Sequence, residues 1–302
     1  LSDPHRVTRR SAQGFWLHVV AAPALVNTVA LTLMARGSAG ADTLLLAVLL
    51  GLSCVWGISA LEGLIKDWVT PFDGWLLGAC VGAVLLRWFK AKDAKFFAYY
   101  LMHDYSFSAG YLGSNPKALE ERIASFADTI ADALNTDADE VLIVGHSSGA
   151  HLAVSILSDL LRTGRVPPDG PVLSFLSLGQ VVPMVSFLPR ATRLRADLAY
   201  LSTRPELTWV DVTAPGDGCA FALCDPVAVT GVATQAQRWP IVFSAAFTQT
   251  LSPARWKALK RRYFRLHFQY LCAFDQPKDY DYFRITAGPL TLGERLRDRG
   301  HS

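Results

Sequence analysis

The residues of this sequence best suited to covalent chemistry stand in Gly145-His146-Ser147-Ser148-Gly149. A largely β-branched run, Val141 to Val144, leads into them, and Ala150, Ala153, Val154, Leu157 and Leu161 follow at helical spacing. A serine between such elements sits on a sharp strand-to-helix turn, the nucleophile-elbow pattern, with its hydroxyl raised above the sheet. Ser147 is therefore the expected nucleophile. The next backbone N–H, that of Ser148, faces the place where an oxyanion would form. The same five-residue string also occurs as a plain Gly-rich turn, and the flanking strand and helix are what single this one out.

A serine of this kind needs a base, and the base needs an acid. Asp217, in Pro215-Gly216-Asp217-Gly218, falls just past a strand candidate, at the carboxyl end where parallel sheets collect their chemistry. Asp225, in Cys224-Asp225-Pro226-Val227, is the alternative, and position favours Asp217. For both, turn formation is the competing role of an aspartate. Downstream histidines are His267, among aromatic and apolar residues in Phe264 to Leu271, and His301 in a polar tail. Histidine takes and returns a proton near neutrality, so His267 is the expected base. His146 and His151 flank the elbow and are expected to shape the pocket or pack beneath it.

The elements that must position these groups follow in order. Asn115 to Leu134 reads as a helix, with Ile123, Phe126, Ile130 and Leu134 on one face. After the elbow come a strand over Val172 to Leu178, a helix over Thr192 to Leu201 and a strand over Leu207 to Ala214. Strands alternating with helices imply an α/β fold with a mostly parallel sheet. Phe96 to Phe107 fits a strand or a helix equally, so at most one strand precedes Val141 after the apolar N-terminal region. The loop that would supply a second oxyanion donor is not visible. His103 and Asp104 are adjacent, point in different directions, and read as surface residues.

The chain has 302 residues, 51% of them hydrophobic, and a formal net charge of +3. That charge is too small to indicate nucleic acid. Five scattered cysteines show no zinc-type spacing, so reduced thiols and neither metal nor cofactor are expected. Phe15 to Met34 and Thr43 to Leu61 lack formal charges and are long enough to form a transmembrane hairpin, with a pair of buried core helices as the alternative. Gly74 to Leu86 has only thirteen residues between Asp73 and Arg87, which suits an interfacial helix. Residues 1–95 thus read as a membrane-associated region and 96–302 as the catalytic domain. Arg6, Arg9 and Arg10 before the hairpin, and Lys66, Arg87, Lys90, Lys92 and Lys95 after it, favour two crossings over three and a cytoplasmic catalytic domain. Pro253 to Arg262, PARWKALKRR, suits either anionic headgroups or a solvated helix face. The chain begins at Leu1 without methionine, consistent with a fragment or processed product.

The elbow, followed by acid and then base, resembles the α/β-hydrolase superfamily over roughly residues 115 to 275. Trp209-Val210-Asp211 with Asp217, Asp225-Pro226-Val227, His267 and Tyr280-Asp281-Tyr282-Phe283 look like a set of uncharacterised bacterial membrane-associated members. The resemblance implies a serine hydrolase fold and supports Ser147, Asp217 and His267 as triad, without supplying a substrate. The expectation is a membrane-anchored serine hydrolase acting on an ester or thioester, with a lipid-like acyl substrate. The alternative is an inactive hydrolase-fold scaffold for partners. A transporter is disfavoured, because neither span carries a charge.

Overall fold

The computed structural model describes residues 71–93 and 97–297. The hairpin expected over 15–34 and 43–61 lies outside them. The chain divides into two compact units between Ser106 and Phe107.

In the first unit, α1 (Pro71–Ala91) is longer than the thirteen-residue apolar stretch suggested. Its Val84, Leu85, Leu86, Trp88 and Phe89 are exposed. Among the described residues, no helix is long and apolar enough to cross a membrane. The ambiguous aromatic stretch is helical, α2 (Ala98–Gly110), continuing into the second unit. Its start explains the outcome: the Asp93 carboxylate accepts from the N–H groups of Tyr99 (2.7 Å) and Tyr100 (3.0 Å), satisfying donors that a helix leaves open. Tyr99 stacks on His103 one turn later.

The second unit is built on four parallel strands in the order β1 (Glu140–His146), β2 (Val172–Leu178), β3 (Leu207–Thr213) and β4 (Ile241–Ser244). Register is continuous, with Ile143 opposite Phe175 and Phe175 opposite Trp209. β2 and β3 are covered on both faces, so that even their polar residues Ser174, Ser177, Asp211 and Thr213 are buried. β4, only four residues long, is too short to show a period in the sequence.

Side chains of alternate parity build two cores. Leu173, Phe175, Leu207 and Trp209 meet α3 (Lys117–Leu134), α4 (Gly149–Arg162) and α6 (Thr192–Leu201) on one face. Leu176, Leu178, Val210, Val212 and Phe243 meet the C-terminal segments on the other. The buried stripe of α3 is Ile123, Ala127, Ala131 and Leu134. Phe126, expected on that stripe, is 53% exposed, and its ring lies beside the Arg122 guanidinium. Arg193 on α6 ties the three helices together by pairing with Glu120 of α3 and Asp159 of α4. Short elements complete the fold. α5 (Val182–Ser186) follows β2, and α7 (Pro226–Val229) lies between β3 and β4. Then come α8 (Phe247–Thr250), α9 (Pro253–Leu259), α10 (Tyr263–His267), a 3-10 turn (Phe268–Leu271), α11 (Tyr282–Thr286) and α12 (Leu292–Arg295).

One polar chain crosses the sheet interior. The Trp209 indole N–H donates to Ser177 Oγ (2.9 Å), and Ser177 donates to Asp211 Oδ1, while Asp211 Oδ2 is buried without a partner. Burial pushes the Asp211 carboxyl up to about 8. Its folded pKa therefore exceeds its unfolded value of roughly 4, and between those values the folded state alone holds the proton. Stability must fall as pH rises through this window. Urea denaturation of wild type and Asp211→Asn should show wild type losing on the order of 5 kcal/mol relative to the variant between about pH 4 and pH 8. A gap that does not change with pH contradicts a protonated Asp211.

Candidate active site

Ser147 follows the carboxyl end of β1, Asp217 lies in the loop after β3, and His267 ends α10. β1 ends at His146, and Ser147 follows with φ +58°, the left-handed region that a serine adopts only under tertiary constraint. Two contacts supply the constraint. The Ser147 N–H donates to Leu178 O at the end of β2 (2.9 Å), and its carbonyl accepts from Ala150 N (3.1 Å). Gly145 is required because a β-carbon there would lie 2.9 Å from the Ala150 backbone and 3.1 Å from the Phe175 ring. Gly149 has no such neighbour, so nothing in the fold demands glycine at that position. Ser148 is the N-cap of α4, at the positive end of the helix dipole.

Asp217 and His267 meet fifty residues apart in sequence, with Oδ2 2.7 Å from Nδ1 and both side chains buried. The second carboxylate oxygen accepts from Cys219 N–H (2.9 Å), and Asp217 N–H donates to Ala214 O (2.9 Å), so the acid is fixed from two sides. A carboxylate facing Nδ1 places the proton there and leaves Nε2 with its lone pair. Asp225 is committed elsewhere. It caps α7, accepting from Val227 N (2.8 Å) and Ala228 N (3.2 Å), and takes a further bond from Gln237 Nε2 (2.7 Å).

The His267 ring lies against Gly179, the residue after Leu178, and so beside the strand end to which Ser147 is bonded. A β-carbon at Gly179 would stand 3.0 Å from His267 Cε1 and 2.7 Å from the Tyr270 ring, and its φ is +52°. Both facts require glycine. Among the described residues, the Ser147 hydroxyl forms no hydrogen bond with His267 or any other group. The Asp217–His267 pair is thus formed without engaging the Ser147 hydroxyl.

The sequence points to His146 beside the pocket but not to the other supporting residues, Tyr270 and Gln180. His146 Nε2 lies 2.9 Å from the carbonyl oxygen of His267, and the two rings are 4.5 Å apart. A carbonyl only accepts, so Nε2 carries the proton and His146 is held in one neutral tautomer. Burial, and then the neighbouring His267, lower its pKa. Tyr270 is fully buried beside Asp217 with no well-formed hydrogen bond to its hydroxyl. Burial and the Asp217 charge keep its phenol protonated. Gln180 joins the loop after β2 to the segment after the acid, accepting from Val182 N (2.8 Å) and donating to Cys224 O (3.2 Å). Gly216 lies under Trp256 and Gly218 beside Tyr263, so the acid loop is clamped by α9 and α10. The only available sequence signal was a glycine immediately after a strand or an acid.

His151 stands apart from this cluster. Its Nδ1 is buried without a partner, and burial lowers its pKa to about 4. His103 and Asp104 lie on α2.

Asp217, Cys219 and His267 also place one oxygen, one sulfur and one nitrogen within 4.8 Å of one another, a set that could hold a metal ion. Burial pushes the Cys219 thiol up to about 11, away from the thiolate a metal requires. The donor set suits proton transfer better than coordination. A cleft of about 450 Å³, lined by Ala131, Asn135 and Gly164 to Pro168, lies toward the opposite, amino ends of β1 and β2.

The His146 contact makes a prediction about pH. The folded pKa lies below the unfolded value near 6.5, so the unfolded state binds the extra proton first and stability is lost as pH falls from about 6.5. His146→Gln should remove this acid-side loss, and His146→Phe, which strands the His267 carbonyl, should cost about 1–3 kcal/mol at neutral pH. Denaturation curves that superimpose for all three proteins across pH contradict the contact. Compared with protein-family models, curated proteins and solved structures, the chain matches none of them.

Proposed function

We propose that this chain is a membrane-anchored serine hydrolase of the α/β-hydrolase type, cleaving an ester or thioester through an acyl-enzyme on Ser147. The observation that carries the reading is the buried Asp217–His267 hydrogen bond at the carboxyl end of the same sheet that holds Ser147 at φ +58°. The order along the chain, nucleophile after β1, acid after β3 and base after β4, agrees with the superfamily pattern.

In this mechanism His267 Nε2 takes the Ser147 proton as the oxygen attacks the acyl carbonyl. Asp217 holds the imidazole in the required tautomer and stabilises its charged form. The Ser148 N–H, at the start of α4, donates to the developing oxyanion. His267 then returns the proton to the leaving oxygen or sulfur, and a water, activated in the same way, releases the acid. A lipid-like acyl substrate and a catalytic unit on the cytoplasmic side of the inner membrane follow from the apolar spans and the basic residues flanking them.

One observation favours the second reading, an inactive scaffold: the Ser147 hydroxyl makes no hydrogen bond to His267. A fluorophosphonate probe separates the two. Wild type should label and Ser147→Ala should not; equal labelling of both sinks the nucleophile, and no labelling in any lipid or detergent favours the scaffold. Ester hydrolysis should fall by about 10⁴-fold in Asp217→Asn. Asp225→Asn should keep its rate within a few-fold and lose only about 1 kcal/mol of capping stability. Loss confined to Asp225→Asn reverses the choice of acid.

A further inference from the structure

The segment that delivers the base has a charge pattern that catalysis does not use. No Asp or Glu occurs between Asp225 and Asp275, while Lys257, Lys260, Arg261, Arg262 and Arg265 crowd into α9, α10 and the link between them. All five are exposed. Among the described residues none of them has a carboxylate within ion-pair distance, whereas the neighbouring Arg255 pairs with Asp275 at 3.4 Å. Solvated helix faces normally interleave both signs, and like charges three and four residues apart repel. This segment gathers one sign and, among the described residues, holds no ion-paired counter-charge.

Aromatic rings stand among the cations. Tyr263 is 61% and Phe268 41% exposed, large values for rings in a folded unit. Phe268 is anchored by His146 (4.8 Å between centroids) and Phe264 (5.1 Å). Tyr263 borders Gly218 in the acid loop. The face is therefore continuous with the elbow and with the loop that holds Asp217. Exposed Tyr and Phe rings beside Lys and Arg match the chemistry of a bilayer interface, where rings enter the headgroup layer and cations meet phosphate.

We propose that Lys257 to Phe268 docks onto an anionic phospholipid surface and turns the Ser147 site toward the leaflet. Each cation near such a surface strengthens association by about fivefold, so the five together supply on the order of 10³-fold at low salt. The orientation of the site rests on the hydrolase reading; the docking itself does not.

The test is amide hydrogen exchange of the full chain in nanodiscs of phosphatidylcholine alone and of phosphatidylcholine mixed equally with phosphatidylglycerol. The readout is local, so attachment through another part of the chain does not obscure it. Exchange across Lys257 to Phe268 should slow about tenfold in the anionic discs only. High salt, or the combined substitutions Lys257→Glu, Arg261→Glu, Arg262→Glu and Arg265→Glu, should remove that protection while β1 to β3 exchange as before. Equal exchange in both discs overturns the proposal, as does equal protection by inorganic phosphate or by a nucleic-acid duplex. Ser147→Ala should behave as wild type here, so failure of the docking and failure of the hydrolase reading give different results.

Discussion

The hydrogen bond between Asp217 and His267 is the interaction around which the second unit is arranged. It joins the loop after β3 to the helix after β4, and both partners are out of solvent. A buried carboxylate without a donor is costly, so the pair must form if the C-terminal segments are to cover this face of the sheet. The surrounding residues answer to that requirement. Gly179 leaves room for the imidazole, Tyr270 walls off Asp217, and the His146 side chain holds the carbonyl of His267. Trp256 and Tyr263 close over the glycines that flank the acid.

The two faces of the sheet are secured differently, and the site lies where they meet. One face is covered by three helices of ten to eighteen residues, cross-linked through Arg193. The other is covered by short turns of helix from Phe247 onward, held by aromatic contacts such as Phe247–Tyr270 and by the Tyr280 hydroxyl donating to Tyr270 O (2.7 Å). Ser147 belongs to the first arrangement and His267 to the second. β1 is the edge strand among the described residues, so Ser147 has a neighbouring strand on one side only.

Much of this architecture is legible in the sequence where burial imposes a period. β2 and α6 occupy the ranges that apolar spacing indicates, because each is bounded by turn residues and covered along its length. The aromatic stretch at 96–107 is not decidable that way, since its helical state depends on a cap from Asp93. The two aspartates differ for a reason partly visible beforehand: Asp225 followed by Pro226 is an N-cap with proline at the first helical position, a pattern that uses up the carboxylate locally. Phe126 was misplaced because helical spacing defines a stripe without fixing its edge. Gly179 was beyond reach, since its role depends on a ring contributed by residue 267, and the bond that His146 makes to the carbonyl of that residue is likewise visible only in the fold.

The central claim is that Ser147 takes the acyl group with His267 and Asp217 behind it. Its nearest chemical rival is Cys219, a thiol in the same cluster. The most direct measurement is to quench the full chain during turnover of an activated acyl ester at acidic pH, digest it, and locate the added acyl mass by tandem mass spectrometry. The account predicts one acyl group per chain, on the peptide containing Ser147, with less trapped when Asp217 is replaced by Asn. Acyl mass on Cys219, or none on any residue while substrate is consumed, contradicts it.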